Sequence, residues 1–60
     1  MKPIHIKNLR ELKNLSQSYV ADKIGISQSY YSKLESGASK LTPVMIESIL
    51  NILENDLLLP

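Results

Sequence analysis

Two glycines, Gly25 and Gly37, divide the middle of this sequence into short segments with a helical pattern of apolar residues. Glycine takes the left-handed conformation that ends a helix without steric cost, so each glycine predicts a helix end. Ser16 and Ser27 precede the two segments that these glycines close, and serine is a favoured N-cap residue. The pattern therefore predicts one helix between Ser16 and Gly25 and a second between Ser27 and Gly37.

Apolar residues at helical spacing predict two further helices, one on each side of this pair. The first follows a three-residue tail closed by Pro3, and its apolar pattern runs from Ile6 to about Asn14. The last has Thr42 as its cap and Pro43 in its first turn, and it carries an apolar stripe wide enough to be buried. All four segments are too short to be stable alone, so we expect each helix to pack on the others.

The C-terminal residues 54–60 are compatible with two structures. Asn55 or Asp56 is a suitable cap for a fifth helix, and the same segment also suits a short strand. The three leucines 57–59 are difficult to bury in so small a chain, which predicts a surface for self-association. The expected fold is therefore all-α, a compact bundle of four or five helices in one domain over residues 1–60.

The composition excludes several classes of function. The chain has no cysteine, a single histidine (His5) and two isolated glycines. It therefore lacks a ligand set for zinc, a glycine-rich phosphate loop and a base positioned to activate a serine. No apolar run approaches the length of a membrane span, and the first residues do not resemble a signal peptide. We expect a cytoplasmic protein with no catalytic activity, no metal, no cofactor and no membrane contact.

The charges are distributed unevenly along the chain. All seven basic residues lie within residues 1–40, together with three acidic ones, whereas residues 41–60 carry three acidic residues and no basic one. One end of the sequence therefore suits a polyanion, although charge alone does not establish a nucleic-acid partner.

The segment 28–36 has two chemically different sides when its residues are spaced by about 100° around a helix. Tyr31 and Leu34 lie on one side. The opposite side has no large apolar residue and consists of Gln28, Ser29, Ser32, Lys33 and Ser36. Glutamine can bond adenine through two hydrogen bonds, serine adapts to several bases, and lysine favours guanine or phosphate. Because serine is a mediocre helix former, stability does not explain its frequency here, and we predict a side that reads base edges.

Seven positions counted from Gln17 hold apolar residues or glycine, as two packed helices joined by a sharp turn require. They are Val20, Ala21, Ile24, Gly25, Ile26, Tyr31 and Leu34. Together with Leu15-Ser16-Gln17, Val20-Ala21-Asp22-Lys23, Gln28-Ser29 and Leu34-Glu35-Ser36-Gly37, they resemble the helix-turn-helix domains of the lambdoid phage repressor and Cro family (XRE-type regulators). The resemblance covers about residues 6–53, with the helix-turn-helix itself at 17–36. It implies a third helix that enters the DNA major groove.

The resemblance also implies residue roles. Gln28 and Ser29 match base-contacting positions, Lys33 matches a base or phosphate contact, and Ser32 shares their side of the helix. The residues expected at DNA phosphates are Gln17, which would also support the base-reading glutamine, with Ser16, Ser36, Ser39, Lys40 and Arg10. Arg10 and Glu35 are implied to pair across the interior, so that Arg10 is mainly structural with a secondary phosphate contact.

Two departures from the family pattern accompany this resemblance. Tyr31 stands where valine or isoleucine is usual, so the bundle must accommodate a ring whose hydroxyl needs water or a partner. The loop from Gly37 to Pro43 is also about one residue longer than is common, which bears on the placement of Lys40.

Two roles for the protein remain open at this point. One is a sequence-specific transcriptional regulator, a repressor, that binds double-stranded DNA as a homodimer on a palindromic operator. The other is the DNA-binding antitoxin of a toxin–antitoxin pair, which would add a toxin or another protein partner. In the second case Leu57-Leu58-Leu59 would form a dimerising strand. The sequence is compatible with a complete chain and with a fragment of a longer one.

Overall fold

Four helices make up the secondary structure of the described part of the chain. The structure is a computed structural model that describes the backbone of residues 2–58 and the side chains of residues 2–54. The helices are α1 (Pro3–Leu12), α2 (Gln17–Ile24), α3 (Gln28–Ser36) and α4 (Pro43–Leu58). No strand occurs between residues 2 and 58, so the predicted all-α fold is confirmed. Within this range no helix has both the length and the apolar character needed to cross a bilayer.

The ends of α2 and α3 lie where the serine and glycine pattern predicts them. Ser16 Oγ and Ser27 Oγ each accept a hydrogen bond from the backbone N–H three residues later, at 3.0 and 3.1 Å. Gly25 has a φ of 90° and Gly37 a φ of 86°, in the left-handed region that glycine adopts without strain. Local signals are therefore sufficient to place both helices.

Gly25→Ala is expected to lower the free energy of unfolding by about 1–2 kcal/mol, because alanine is strained in the left-handed conformation. A Cβ atom at this position would meet no atom within 4 Å, so the loss comes from the backbone alone. Urea titration followed by circular dichroism measures it. Gly25→Asn is the matched control, since asparagine tolerates this conformation and should recover part of the loss. An alanine variant as stable as the wild type would contradict the left-handed turn.

α1 begins earlier and ends earlier than the sequence predicted. Pro3 is its first residue and not the end of a tail, because proline has no N–H to satisfy and its fixed φ is already helical. The helix ends at Leu12, and Asn14 has a φ of 62°. Asparagine tolerates this left-handed conformation, which a right-handed helix cannot continue through.

α4 begins as predicted. Pro43 is its first residue, and Thr42 Oγ1 accepts a hydrogen bond from the Met45 N–H at 3.3 Å. The cap and the proline together direct the chain into the helix after the loop that follows α3.

The C-terminal expectation was wrong. α4 is one continuous helix through Leu58, so neither a fifth helix capped by Asn55 or Asp56 nor a strand forms over residues 55–58. No glycine or proline follows Pro43 before residue 60, and a helix propagates readily once its first turn is made. The predicted self-association surface at the leucines 57–59 lies outside the described side chains.

One apolar core joins all four helices. Its buried members are Ile6 of α1, Val20 and Ala21 of α2, Tyr31 and Leu34 of α3, and Ile49 and Leu53 of α4. Tyr31 is 0% exposed, so the bundle accommodates the ring that replaces the smaller residue usual in the family. Because the side of α3 that carries Tyr31 and Leu34 packs into this core, the opposite side of the helix faces outward.

Candidate nucleic-acid interface

The outward side of α3, called here the polar face, consists of Gln28, Ser29, Ser32, Lys33 and Ser36. Ser32 is half-buried and the other four residues are exposed. Tyr31 and Leu34 are buried on the opposite side. The structure therefore places the four residues predicted to contact bases, together with Ser36, on one accessible surface.

A three-residue link (25–27) joins α2 to α3 in a sharp turn. The backbone N–H groups of Gly25 and Ile26 both donate to the carbonyl oxygen of Ala21, at 2.9 and 3.0 Å. Ala21 is 1% exposed, and its small side chain lets the two helices approach closely. This is the geometry of a helix-turn-helix unit, in which the first helix supports the second.

The chain after α3 is held by hydrogen bonds to the last turn of that helix. Ser36 Oγ donates to the Lys33 carbonyl oxygen at 3.2 Å and accepts from the Ala38 N–H at 3.4 Å. The Ser39 N–H also donates to the Lys33 carbonyl oxygen, at 3.1 Å. Ser39 is half-buried and Lys40 is exposed. Three of the residues predicted to contact DNA phosphates, Ser36, Ser39 and Lys40, therefore lie at or directly after the end of α3.

Gln17 and Ser16 lie at the start of α2, and both have roles in the free protein. Ser16 is the N-cap of α2. Gln17 is half-buried, and its Nε2 donates to Glu35 Oε1 at 3.1 Å. Within residues 2–54 its amide makes no hydrogen bond to Gln28, the residue that the resemblance implies it supports. The amide still has a second N–H, which can donate to a phosphate.

Arg10 and Glu35 form a buried ion pair between α1 and α3. Arg10 Nε lies 2.6 Å from Glu35 Oε2, and Arg10 Nη2 lies 3.1 Å from Glu35 Oε1. Arg10 Nη1 donates to the Leu15 carbonyl oxygen at 2.6 Å. Every nitrogen of the guanidinium therefore has an internal acceptor. The pair, together with Gln17, connects α1, the start of α2 and the end of α3.

The two charges of this pair shift each other's pKa in opposite directions. Burial opposes ionisation of Glu35, but the charge of Arg10 and the hydrogen bonds from Arg10 and Gln17 favour the carboxylate, and the pKa of the carboxyl lies below its ordinary value. The hydrogen bond with Glu35 raises the pKa of Arg10. Both groups are consequently charged at neutral pH.

Tyr31 places its hydroxyl beside this ion pair. The oxygen is fully buried and makes no hydrogen bond of good geometry with any residue the structure describes. Burial, followed by the nearby Glu35 carboxylate, raises the pKa of the phenol. The hydroxyl is therefore neutral, buried and incompletely satisfied, which is unfavourable.

Tyr31→Phe is accordingly expected to leave the protein at least as stable as the wild type, with a gain of up to about 1 kcal/mol, because it removes a buried polar atom that lacks a partner. Chemical unfolding measures the difference. Tyr31→Leu is the comparison, because losing the ring creates a cavity and should be clearly destabilising. A loss of more than about 1 kcal/mol in the phenylalanine variant would show that the hydroxyl is bonded, for example by a buried water.

Two contacts of this site were not predicted from the sequence. They are the hydrogen bond from Gln17 to Glu35 and the bond from Arg10 to the Leu15 carbonyl oxygen. Gln17 and Glu35 are far apart in the sequence, and a half-buried glutamine at a helix start gives no local sign of its partner. The short loop after α1 places the Leu15 carbonyl within reach of Arg10, a position set by the tertiary fold.

A four-helix core, a helix-turn-helix unit and an outward polar helix define a small DNA-binding domain. The helix-turn-helix family HTH_3 matches residues 6–58. The chain belongs to this family, whose members are XRE-type, Cro/C1-type helix-turn-helix domains, and it is a DNA-binding transcription regulator of that type. The family is one of DNA-binding domains and not of enzymes. Neither the curated proteins nor the solved structures provide a match.

Proposed function

We propose that this protein is a transcriptional repressor that binds a palindromic DNA operator as a homodimer, with α3 in the major groove. The observation that supports this is the division of α3 into a buried apolar side and an exposed polar face. A face of amide, hydroxyl and ammonium groups offers the donors and acceptors that base edges require. We also propose that the protein acts by binding alone, without catalysis, in the cytoplasm.

The proposed contacts divide into two groups. Those to bases are made by Gln28, Ser29, Ser32 and Lys33. Those to phosphates are made by Gln17, Ser16, Ser36, Ser39, Lys40 and, secondarily, Arg10. Phosphate contacts fix the position of the protein on the duplex, whereas base contacts select the sequence. Arg10 is the weakest member of the second group, because its guanidinium is buried and bonded internally.

The homodimer follows from the size of the reading surface. One helix of nine residues contacts too few base pairs to distinguish an operator from a whole genome. Two copies related by a two-fold axis double the number of base pairs that are read. Their half-sites are then inverted and spaced by about one helical turn of DNA.

Selection of bound duplexes from a random pool tests the proposal. We expect an enriched site with two inverted half-sites whose centres are about 10 base pairs apart, and a complex of two protein chains per duplex. A reporter gene carrying that site near its promoter should be repressed. Binding that survives shuffling of the selected sequence would indicate a general electrostatic binder instead.

The antitoxin role is the second candidate function. The dimerising strand that would accompany it at the C-terminal leucines does not form through Leu58, because α4 is helical there. Binding of a toxin or another protein partner stays an untested prediction, which co-purification from the native cell would test.

A further inference from the structure

An open groove of about 510 Å³ lies between the start of α1 and the end of α3. Lys2 and Lys7 line it on the α1 side, and Glu35 and Ser36 line it on the α3 side. Gln17, the first residue of α2, also lines it. The groove thus adjoins the polar face at Ser36, and it includes two residues already proposed to contact phosphates.

The two lysines of this groove have no assigned role. Both are exposed. Neither forms an ion pair with a residue that the structure describes. Lys7 lies one helical turn after Pro3, so its ammonium can reach the same side of α1 as Lys2. Pro3, Ile4 and Gly37 make much of the groove wall apolar, so its polar groups are those of Lys2, Lys7, Gln17, Glu35 and Ser36. Two cations without a described ion-pair partner at such a groove attract an anion.

Glu35 is the one acidic side chain in the groove lining, and its charge does not cancel that of the lysines. Arg10 donates to both of its carboxylate oxygens, at 2.6 and 3.1 Å. Because the buried Arg10 side chain neutralises the charge of Glu35, Lys2 and Lys7 determine the electrostatic potential in the groove. Gln17 and Ser36 add polar groups at the rim.

We propose that the groove binds a phosphate of the DNA backbone through Lys2 and Lys7, which makes the start of α1 a part of the DNA interface. This inference rests on the proposed function, because the phosphate belongs to the same DNA duplex that α3 is proposed to read. A phosphate seated here lies beside Gln17 and Ser36, so the groove extends the proposed backbone contacts away from the bases. Its contribution is to affinity and position, and not to sequence preference.

The double variant Lys2→Gln/Lys7→Gln tests the groove on the duplex recovered by selection. Lys13→Gln/Lys23→Gln is the matched control, because it removes the same charge at two lysines outside the groove lining. Affinity is measured by fluorescence anisotropy from low to high salt. Ethylation of single phosphates shows which of them are needed for binding. Circular dichroism of each variant verifies that the fold is intact.

The groove variant should bind several-fold more weakly, and the slope of log K against log salt should decrease by about 0.9 per half-site, the amount lost with one phosphate contact. Ethylation should cease to interfere at one backbone position in each half-site. Lys2→Arg/Lys7→Arg keeps both charges and should retain the wild-type slope and interference pattern. The control pair should change the slope less and leave the pattern unchanged.

Three results would overturn the inference. An unchanged slope and ethylation pattern in the groove variant would remove the groove from the interface while leaving the proposed function in place. Equal losses in both lysine pairs would show that only overall charge matters. Absence of any preferred duplex for the wild-type protein would instead remove the proposed function, and the groove assignment with it.

Discussion

Arg10→Met is expected to lower the free energy of unfolding by about 3–5 kcal/mol, because it leaves the Glu35 carboxylate buried without its cation. Glu35 is 5% exposed and Arg10 is 8% exposed, so hydration of the carboxylate compensates for only part of the lost interaction. The Leu15 carbonyl oxygen loses its donor as well. A domain of 60 residues has a total stability of only about 3–9 kcal/mol. We therefore expect a large fraction of the variant to be unfolded already in the absence of urea. A urea titration at low temperature measures this fraction.

The double variant Arg10→Met/Glu35→Leu is the control for this prediction. Replacing a buried ion pair by apolar side chains of similar size is often neutral or stabilising, since no charge remains to be desolvated. The double variant should therefore be more stable than either single variant, and the double-mutant cycle should give a coupling energy of more than about 1 kcal/mol. Strictly additive losses would show that the two side chains contribute independently, contrary to the geometry.

The same pair predicts how stability depends on pH. Folding holds the pKa of Glu35 below its ordinary value of 4.5, so the folded state binds this proton less readily than the unfolded state. The stabilisation is complete above that value and is lost as the pH falls through the lower pKa of the folded state. Acid unfolding of the wild type should show this loss, and Arg10→Met/Glu35→Leu should lack the part that comes from Glu35.

The ion pair bears on the proposed function because it holds α3, the helix proposed to read DNA, in place. Glu35 belongs to α3, and it is bonded both to Arg10 of α1 and to Gln17 of α2. A DNA phosphate that binds the Gln17 amide competes for the donor that Gln17 gives to the Glu35 carboxylate. Weaker DNA binding in an Arg10 variant is therefore expected to follow from a displaced α3, even where no phosphate contact is lost.

Elements with local signals could be predicted from the sequence. A serine cap and a terminal glycine limit α2 and α3, and the alternation of apolar and polar side chains along α3 identifies which side is buried. The signals at Pro3 and after residue 54 were misinterpreted. Proline suits a helix start as well as a tail, and an Asn-Asp pair permits a helix to continue when its neighbours are good helix formers.

Contacts between distant residues were not accessible in the same way. Arg10 and Glu35 are 25 positions apart, and their pairing was expected only from the family resemblance. The bond from Gln17 to Glu35 and the groove beside Lys2 and Lys7 depend on how α1 and α3 pack. The spacing of apolar residues along the sequence does not predict such packing, because the packing depends on contacts among all the core side chains.

Gln28→Ala is expected to weaken binding to the selected operator by about 1–3 kcal/mol and to relax the preference at one base pair in each half-site. Gln28 is exposed at the first position of α3, where its amide can form two hydrogen bonds with adenine. Alanine removes both bonds without disturbing the core, so the stability of the protein should be unchanged. Affinities for the operator and for its three single-base-pair alternatives, measured at one salt concentration, test this.

Lys40→Ala is the comparison for Gln28→Ala, because it distinguishes the loss of a phosphate contact from the loss of a base contact. A lysine at a phosphate should weaken all four duplexes equally and lower the salt slope by about one, whereas Gln28→Ala should leave the slope unchanged and reduce the difference between duplexes. Asn51→Ala, at an exposed polar position of α4, controls for the substitution itself. If Gln28→Ala weakened all four duplexes alike, the glutamine would contact the backbone. Sequence selection would then rest on Ser29, Ser32 and Lys33.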